Sequence, residues 1–127
     1  MNIRDELKNL GPLAHCGIAL ADYCESIADG GRFESADARW VIRPNNFITL
    51  EPHWKRTTNI AISIRGNPSE YAELAELRLK SGMAGYSECI LTEAWQLCAA
   101  MFYARRANDI FRRGRNRTVR QLRLIET

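Results

Sequence analysis

Glu51 and His53 stand two residues apart in the run Asn46-Phe47-Ile48-Thr49-Leu50-Glu51-Pro52-His53-Trp54-Lys55. On an extended strand, residues at that spacing share a face, so a carboxylate and an imidazole are placed there for acid–base chemistry. The same face would carry Arg39, Arg43 and Arg65, with Phe47 and Thr49 between them. One Glu and one His without a nucleophile specify no reaction. A solvated sheet face with an Arg39–Glu51 cross-strand pair, contributing about 0.2–1 kcal/mol, accounts for the same residues. The string Glu51 to Lys55 also resembles the acidic-plus-lysine strand of metal-dependent nucleases, but the further carboxylates that chemistry needs are wrongly spaced. Trp54 and Lys55 sit in the basic loop Pro52-His53-Trp54-Lys55-Arg56. An aromatic between cations can touch nucleic acid or another anion, or fold back over the sheet edge. Arg39, Glu51, His53, Trp54, Lys55 and Arg65 thus make one candidate sheet-face or loop site. No catalytic residue, metal or cofactor is assigned.

A second candidate lies at the C-terminal end. Residues 1–104 carry 10 Lys/Arg against 13 Asp/Glu, whereas residues 105–127 carry 8 Arg against Asp109 and Glu126. The balance is −3 for the body and +6 for the end. Every cation in that end is Arg, whose planar fork suits phosphate and carboxylate better than lysine does. Arg105 and Arg106 read as cations offsetting a helix C-terminus. Arg112, Arg113, Arg115, Arg117, Arg120 and Arg123 read equally as a solubilising helix end or as a nucleic-acid or anion-binding segment.

Four cysteines (Cys16, Cys24, Cys89 and Cys98) form no C-x-x-C pair, and His15 and His53 sit at no zinc-finger spacing. Cysteines of this kind are usually small buried hydrophobes, and the usage suits a reducing cytoplasm. His15 reads as structural. No Gly-rich phosphate loop and no Ser–His–Asp or Cys–His set is present. The opening residues lack a signal-peptide core, and no apolar run reaches the ~20 residues of a membrane span.

These candidates need elements to hold them. Residues 3–9 predict one or two helical turns, ended by Gly11-Pro12. Leu13, Cys16, Leu20, Cys24 and Ile27 recur at helical spacing and predict a helix over 12–29, stopped at Gly30-Gly31. From Arg39 the period becomes two. Trp40 and Ile42, then Ile48 and Leu50, then Ile60, Ile62 and Ile64 predict an antiparallel meander with one buried face. Matching the inward rows pairs Ile42 with Ile48, Trp40 with Leu50, Leu50 with Ile62, and Ile48 with Ile64. Outward, Arg39 then faces Glu51, Glu51 faces Ala61, and Phe47 faces Arg65. Asn67-Pro68 starts a helix of about two turns, followed by a strand around Leu77–Lys80; one helix over 68–80 is the competing reading. A reversal at 81–85 leads into a strand over 86–91, and Thr92 caps a last helix over 92–113, ended by Gly114. Trp95, Cys98 and Phe102, with Ala94, Leu97, Met101 and Ala104, form its apolar face, so Trp40 and Trp95 are expected in the core.

The middle of the chain resembles a bacterial and archaeal α+β domain family of unknown function. The likeness covers about 38–110 and rests on Asn46-Phe47-Ile48-Thr49-Leu50-Glu51-Pro52, the basic turn Lys55-Arg56, the strand 59–64 and the Gly-Tyr-Ser entry at 85–87. In that family a strand with the motif Asn-Phe-x-x-(Ile/Leu)-Glu-Pro precedes a lysine-rich turn and an Ile/Leu strand. Members occur alone, sometimes labelled predicted transport protein, or appended to proteins that resemble nucleotide-dependent restriction factors. This chain differs in its Arg-rich end and in having one lysine in the turn.

The expectation is one α+β domain over 1–113, an antiparallel sheet of four to five strands with both helices on one face, and an Arg-rich extension over 114–127. A non-catalytic binding module associated with nucleic acid is the first functional expectation. A small enzyme using Glu51 and His53, or a self-assembling element docking by its C-terminal segment, is the alternative. A nucleic-acid or protein partner or a second copy is expected; a membrane is not.

Overall fold

The period-two alternation builds its sheet. In the computed structural model, which describes the backbone of residues 2–126 and the side chains of residues 2–114, six antiparallel strands lie in the order β1-β2-β3-β4-β6-β5. They are β1 (Arg32–Ala36), β2 (Arg39–Arg43), β3 (Ile48–His53), β4 (Asn59–Arg65), β5 (Lys80–Ser81) and β6 (Tyr86–Leu91). Trp40 pairs with Leu50, Leu50 with Ile62, Ile48 with Ile64 and Glu51 with Ala61, the expected register. The β2–β3 ladder is short, holding only Trp40–Leu50 and Val41–Thr49. The expected Ile42–Ile48 and Arg39–Glu51 pairs fall outside it.

The extra strand is β1. Its sequence Arg-Phe-Glu-Ser-Ala offers a single apolar inward residue, Phe33, so alternation had almost nothing to report. The strand is held from the helix side. The Phe33 N–H donates to Glu25 Oε2 at 3.0 Å, and Arg4 grips Glu25 (2.7 Å) and Asp22 (2.6 Å) in turn.

At the other edge, neither expected form of 68–80 occurs. Asn67 starts a single 3-10 turn, Pro68–Glu70, with its N–H on Glu70 Oε2 at 2.7 Å. The turn stops because Tyr71 leaves it in extended backbone and donates its hydroxyl to the Arg65 carbonyl. The strand shrinks to Lys80–Ser81, because Leu77 is taken elsewhere: its carbonyl accepts from the Tyr103 hydroxyl at 2.6 Å. Gly66 makes this crowded corner feasible. Its φ of +108° suits glycine, and a Cβ there would stand 2.9 Å from Ile110 Cδ1.

Among the described residues, the α-helices are α1 (Ile3–Leu7), α2 (Ala14–Ile27) and α3 (Leu97–Glu126). A 3-10 segment kinked at Gly11 joins α1 to α2. Leu20 and Cys24 of α2 and Tyr103 of α3 join Ile42, Ile48, Leu50, Ile60, Ile62 and Ile64 in one core between helices and sheet. Each sheet residue so buried contributes roughly 1.5–3 kcal/mol.

Two expectations for the last helix need correction. Its buried face is Ala99, Ala100, Tyr103, Ala104 and Ala107, while Trp95 is 65% and Phe102 48% exposed. Four alanines let the helix axis approach the sheet closely, and the bulky residues are left on the outside. Hydropathy alone weighs size, not fit. Gly114 does not end the helix either: α3 runs on to Glu126. Glycine stops a helix by taking left-handed backbone; inside a continuing helix it costs only about 1 kcal/mol relative to alanine.

Candidate functional site

Glu51 lines two neighbouring concavities of the sheet among the described residues. The larger, about 490 Å³, lies at the β3–β4 end and is lined by Glu6, Ala38 and the run Glu51–Thr57. β3 delivers Glu51 and His53 to it on the outward parity, and His53 Nε2 lies 3.8 Å from Glu51 Oε1. Trp54 is half-buried and packs on the core, while Lys55 and Arg56 are exposed. Opposite them, Glu6 of α1 accepts a hydrogen bond from the Trp40 indole N–H. Cations and carboxylates therefore face one another across a partly apolar cleft.

The second concavity, about 390 Å³, is a trough on the outward face. Thr49, Ala61 and Ser63 make its floor, small residues that leave room. Arg39, Glu51, Lys80, Glu88 and Ile90 make its rim, with Lys80 and Glu88 paired at 4.0 Å. The sheet face is thus not flat.

The structure gathers Glu51, His53, Trp54 and Lys55 of the first candidate set in the cleft. Arg39 joins the neighbouring trough, and the expected Arg39–Glu51 pair is replaced by the Glu51–His53 contact. Arg65 lies at the opposite end of β4. Its guanidinium sits between the rings of Tyr86 (5.4 Å) and Phe111 (5.1 Å) and donates to Asn46 Oδ1 at 2.9 Å. Its Nε is buried without a partner. Phe47, expected on the outward face, is fully buried instead. It precedes β3, and its N–H turns back to the Asn45 carbonyl at 2.7 Å, which takes it off the strand's alternation. Glu6 and Ala38 are cleft residues that the sequence reading missed; no local pattern links either to β3. The indole at Trp40, buried and needing an acceptor, was the usable signal for Glu6.

Of the second candidate set, Arg112 donates to the Ile27 carbonyl (3.2 Å) and pairs with Asp29 (2.6 Å). Together with Asn108 Nδ2, which reaches the same carbonyl at 2.9 Å, it caps the C-terminus of α2. Arg113 is exposed. The side chains of Arg115, Arg117, Arg120 and Arg123 lie outside the described residues.

Nucleophiles and metal ligands are scarce. Burial raises the thiols of Cys16 and Cys24, and pushes Cys89 up to about 12. Cys98 is exposed rather than buried, and so is His15. Among the described residues no cluster of three His, Cys, Asp or Glu could hold a metal ion. Nor is any described helix long and apolar enough to cross a membrane. No family model, curated protein or solved structure matches the chain.

Proposed function

We propose that this protein is a non-catalytic binding module that engages nucleic acid through the arginine-rich end of α3. The observation that carries this reading is the continuity of α3 through Gly114, which puts all eight arginines from Arg105 onward on one 30-residue helix. Such a helix is about 45 Å long. Arg106, whose Nε donates to the Glu70 carbonyl, and Arg112 on Asp29 hold the helix to the body. Phosphate contact then falls to Arg113, Arg115, Arg117, Arg120 and Arg123. The resemblance of the middle of the chain to domains appended to restriction-like proteins points the same way. The free cysteines fit a reducing compartment, and we place the protein in the cytoplasm.

Fluorescence anisotropy with duplex DNA and single-stranded RNA tests this. The affinity should fall linearly on a log–log plot against salt, with a slope of about −0.9 per phosphate neutralised on duplex. Deleting 114–127 should abolish binding while the thermal melt persists. Absence of binding at low ionic strength, or binding indifferent to the deletion, overturns the reading.

The cleft favours a second reading, a small-ligand or acid–base site at Glu51 and His53, because the two groups converge at 3.8 Å in a concavity of about 490 Å³. Titrating inorganic phosphate and a mononucleotide while following the amide resonances of 51–57 tests it. Unmoved resonances remove this reading.

A further inference from the structure

The cleft beside β3 holds charges of both signs that do not neutralise one another. Glu6, half-buried, accepts the indole N–H of buried Trp40, a neutral donor. Among the described residues no cation stands within 4.0 Å of its carboxylate. Lys55 and Arg56 line the same concavity of about 490 Å³, and among the described residues neither has a carboxylate within 4.0 Å. The Glu51 carboxylate meets His53 at 3.8 Å, beyond hydrogen-bond reach. Arg39, which shares the neighbouring trough with Glu51, does not pair with it. Between the separated charges lie buried Pro52 and half-buried Trp54.

Building on the small-ligand reading of this cleft, we infer that it takes a zwitterion of dipeptide size. Its ammonium goes to Glu6 and Glu51, its carboxylate to Lys55 and Arg56, and its apolar body to Trp54. The Trp40 indole fixes Glu6 before any ligand arrives, so the fold has already met the cost of ordering that carboxylate. Because the indole is neutral, it leaves the charge of Glu6 uncompensated. Arg56 offers a planar fork that matches both oxygens of a carboxylate. The gap sets the size of the ligand. Glu6 and the loop cations stand more than 4.0 Å apart, and two extended residues reach about 7 Å. The cleft volume also lies within the roughly 300–1,000 Å³ of small-molecule sites. A phosphate or a mononucleotide answers only the cation side and turns its own negative charge toward Glu6 and Glu51.

Binding is read on the full chain from the amide resonances of 51–57 and the Trp40 indole N–H resonance. Leucyl-phenylalanine should move both, with an affinity about tenfold or more above that of inorganic phosphate. Blocking its ammonium by acetylation, or its carboxylate by amidation, should each weaken it about tenfold. Glu6→Gln keeps an acceptor for the Trp40 indole while removing the charge. It should weaken the dipeptide about tenfold and leave phosphate as tight or tighter, whereas a merely structural Glu6 would move both ligands alike. Lys55→Ala, at an exposed position, should weaken dipeptide and phosphate together with the melting temperature unchanged. A dipeptide that leaves 51–57 unmoved, or that binds equally well when acetylated or amidated, overturns the proposal. If phosphate still moves 51–57 in that case, the small-ligand reading stands without it; if neither ligand does, both fall.

Discussion

Inside the core, thiols and phenols lose their ordinary acidity, and this has a measurable consequence. Burial raises the Cys24 thiol well above its usual 9.0, Cys89 to about 12, and the Tyr71 and Tyr103 hydroxyls above 10.0. In each case the folded state holds its proton where the unfolded chain releases it. Stability from these groups is complete below pH 9 and drains as pH climbs past 9 for the thiols and past 10 for the phenols. The melting temperature should therefore be level between pH 7 and about 8.5 and fall with increasing slope above it. A melting temperature that stays level to pH 11 contradicts the burial of these groups. Which residues would carry that role was only half legible. Cys24 and Cys89 read as buried from their place in apolar patterns, but so did Cys98, which is exposed. Tyr71 and Tyr103 were not singled out, because their hydroxyl partners, the Arg65 and Leu77 carbonyls, come from distant chain.

At the level of elements, β4 anchors the sheet. It pairs over six residues with β3 and over six with β6, and Ile60, Ile62 and Ile64 all face the helices. Ile62→Asp puts a carboxylate beside Leu50 and Cys89 positions with no counter-charge, a change expected to cost more than about 4 kcal/mol. Circular dichroism should show loss of the cooperative melt; a melt within a few degrees of wild type overturns this account of the core. β2, β3, β4 and β6 were readable because strict alternation leaves one register compatible with a dry face. β1 was not, and β5 was read too early and too long, around Leu77–Lys80 rather than Lys80–Ser81, since an edge strand buries little and shows little pattern. The length of α3 was misread for a related reason: Gly114 is a stop signal only through the backbone it adopts, and its composition does not reveal that.

For the whole molecule, the architecture was legible while the candidate site was legible only in fragments. Residues 51–55 are contiguous, so their meeting in the cleft follows from one strand and its loop. Glu6 and Ala38 come from elsewhere, and only the packed structure brings them to the same cleft. The charge split between body and C-terminal end was plain from composition, yet Arg112 proves to be a clasp on α2. The carboxylate of Glu25 has a broader effect. By occupying the outward amide of Phe33, it interrupts the template that a bare sheet margin offers to another backbone. Growth of this sheet from chain to chain through β1, the route to fibrillar stacking, is obstructed there.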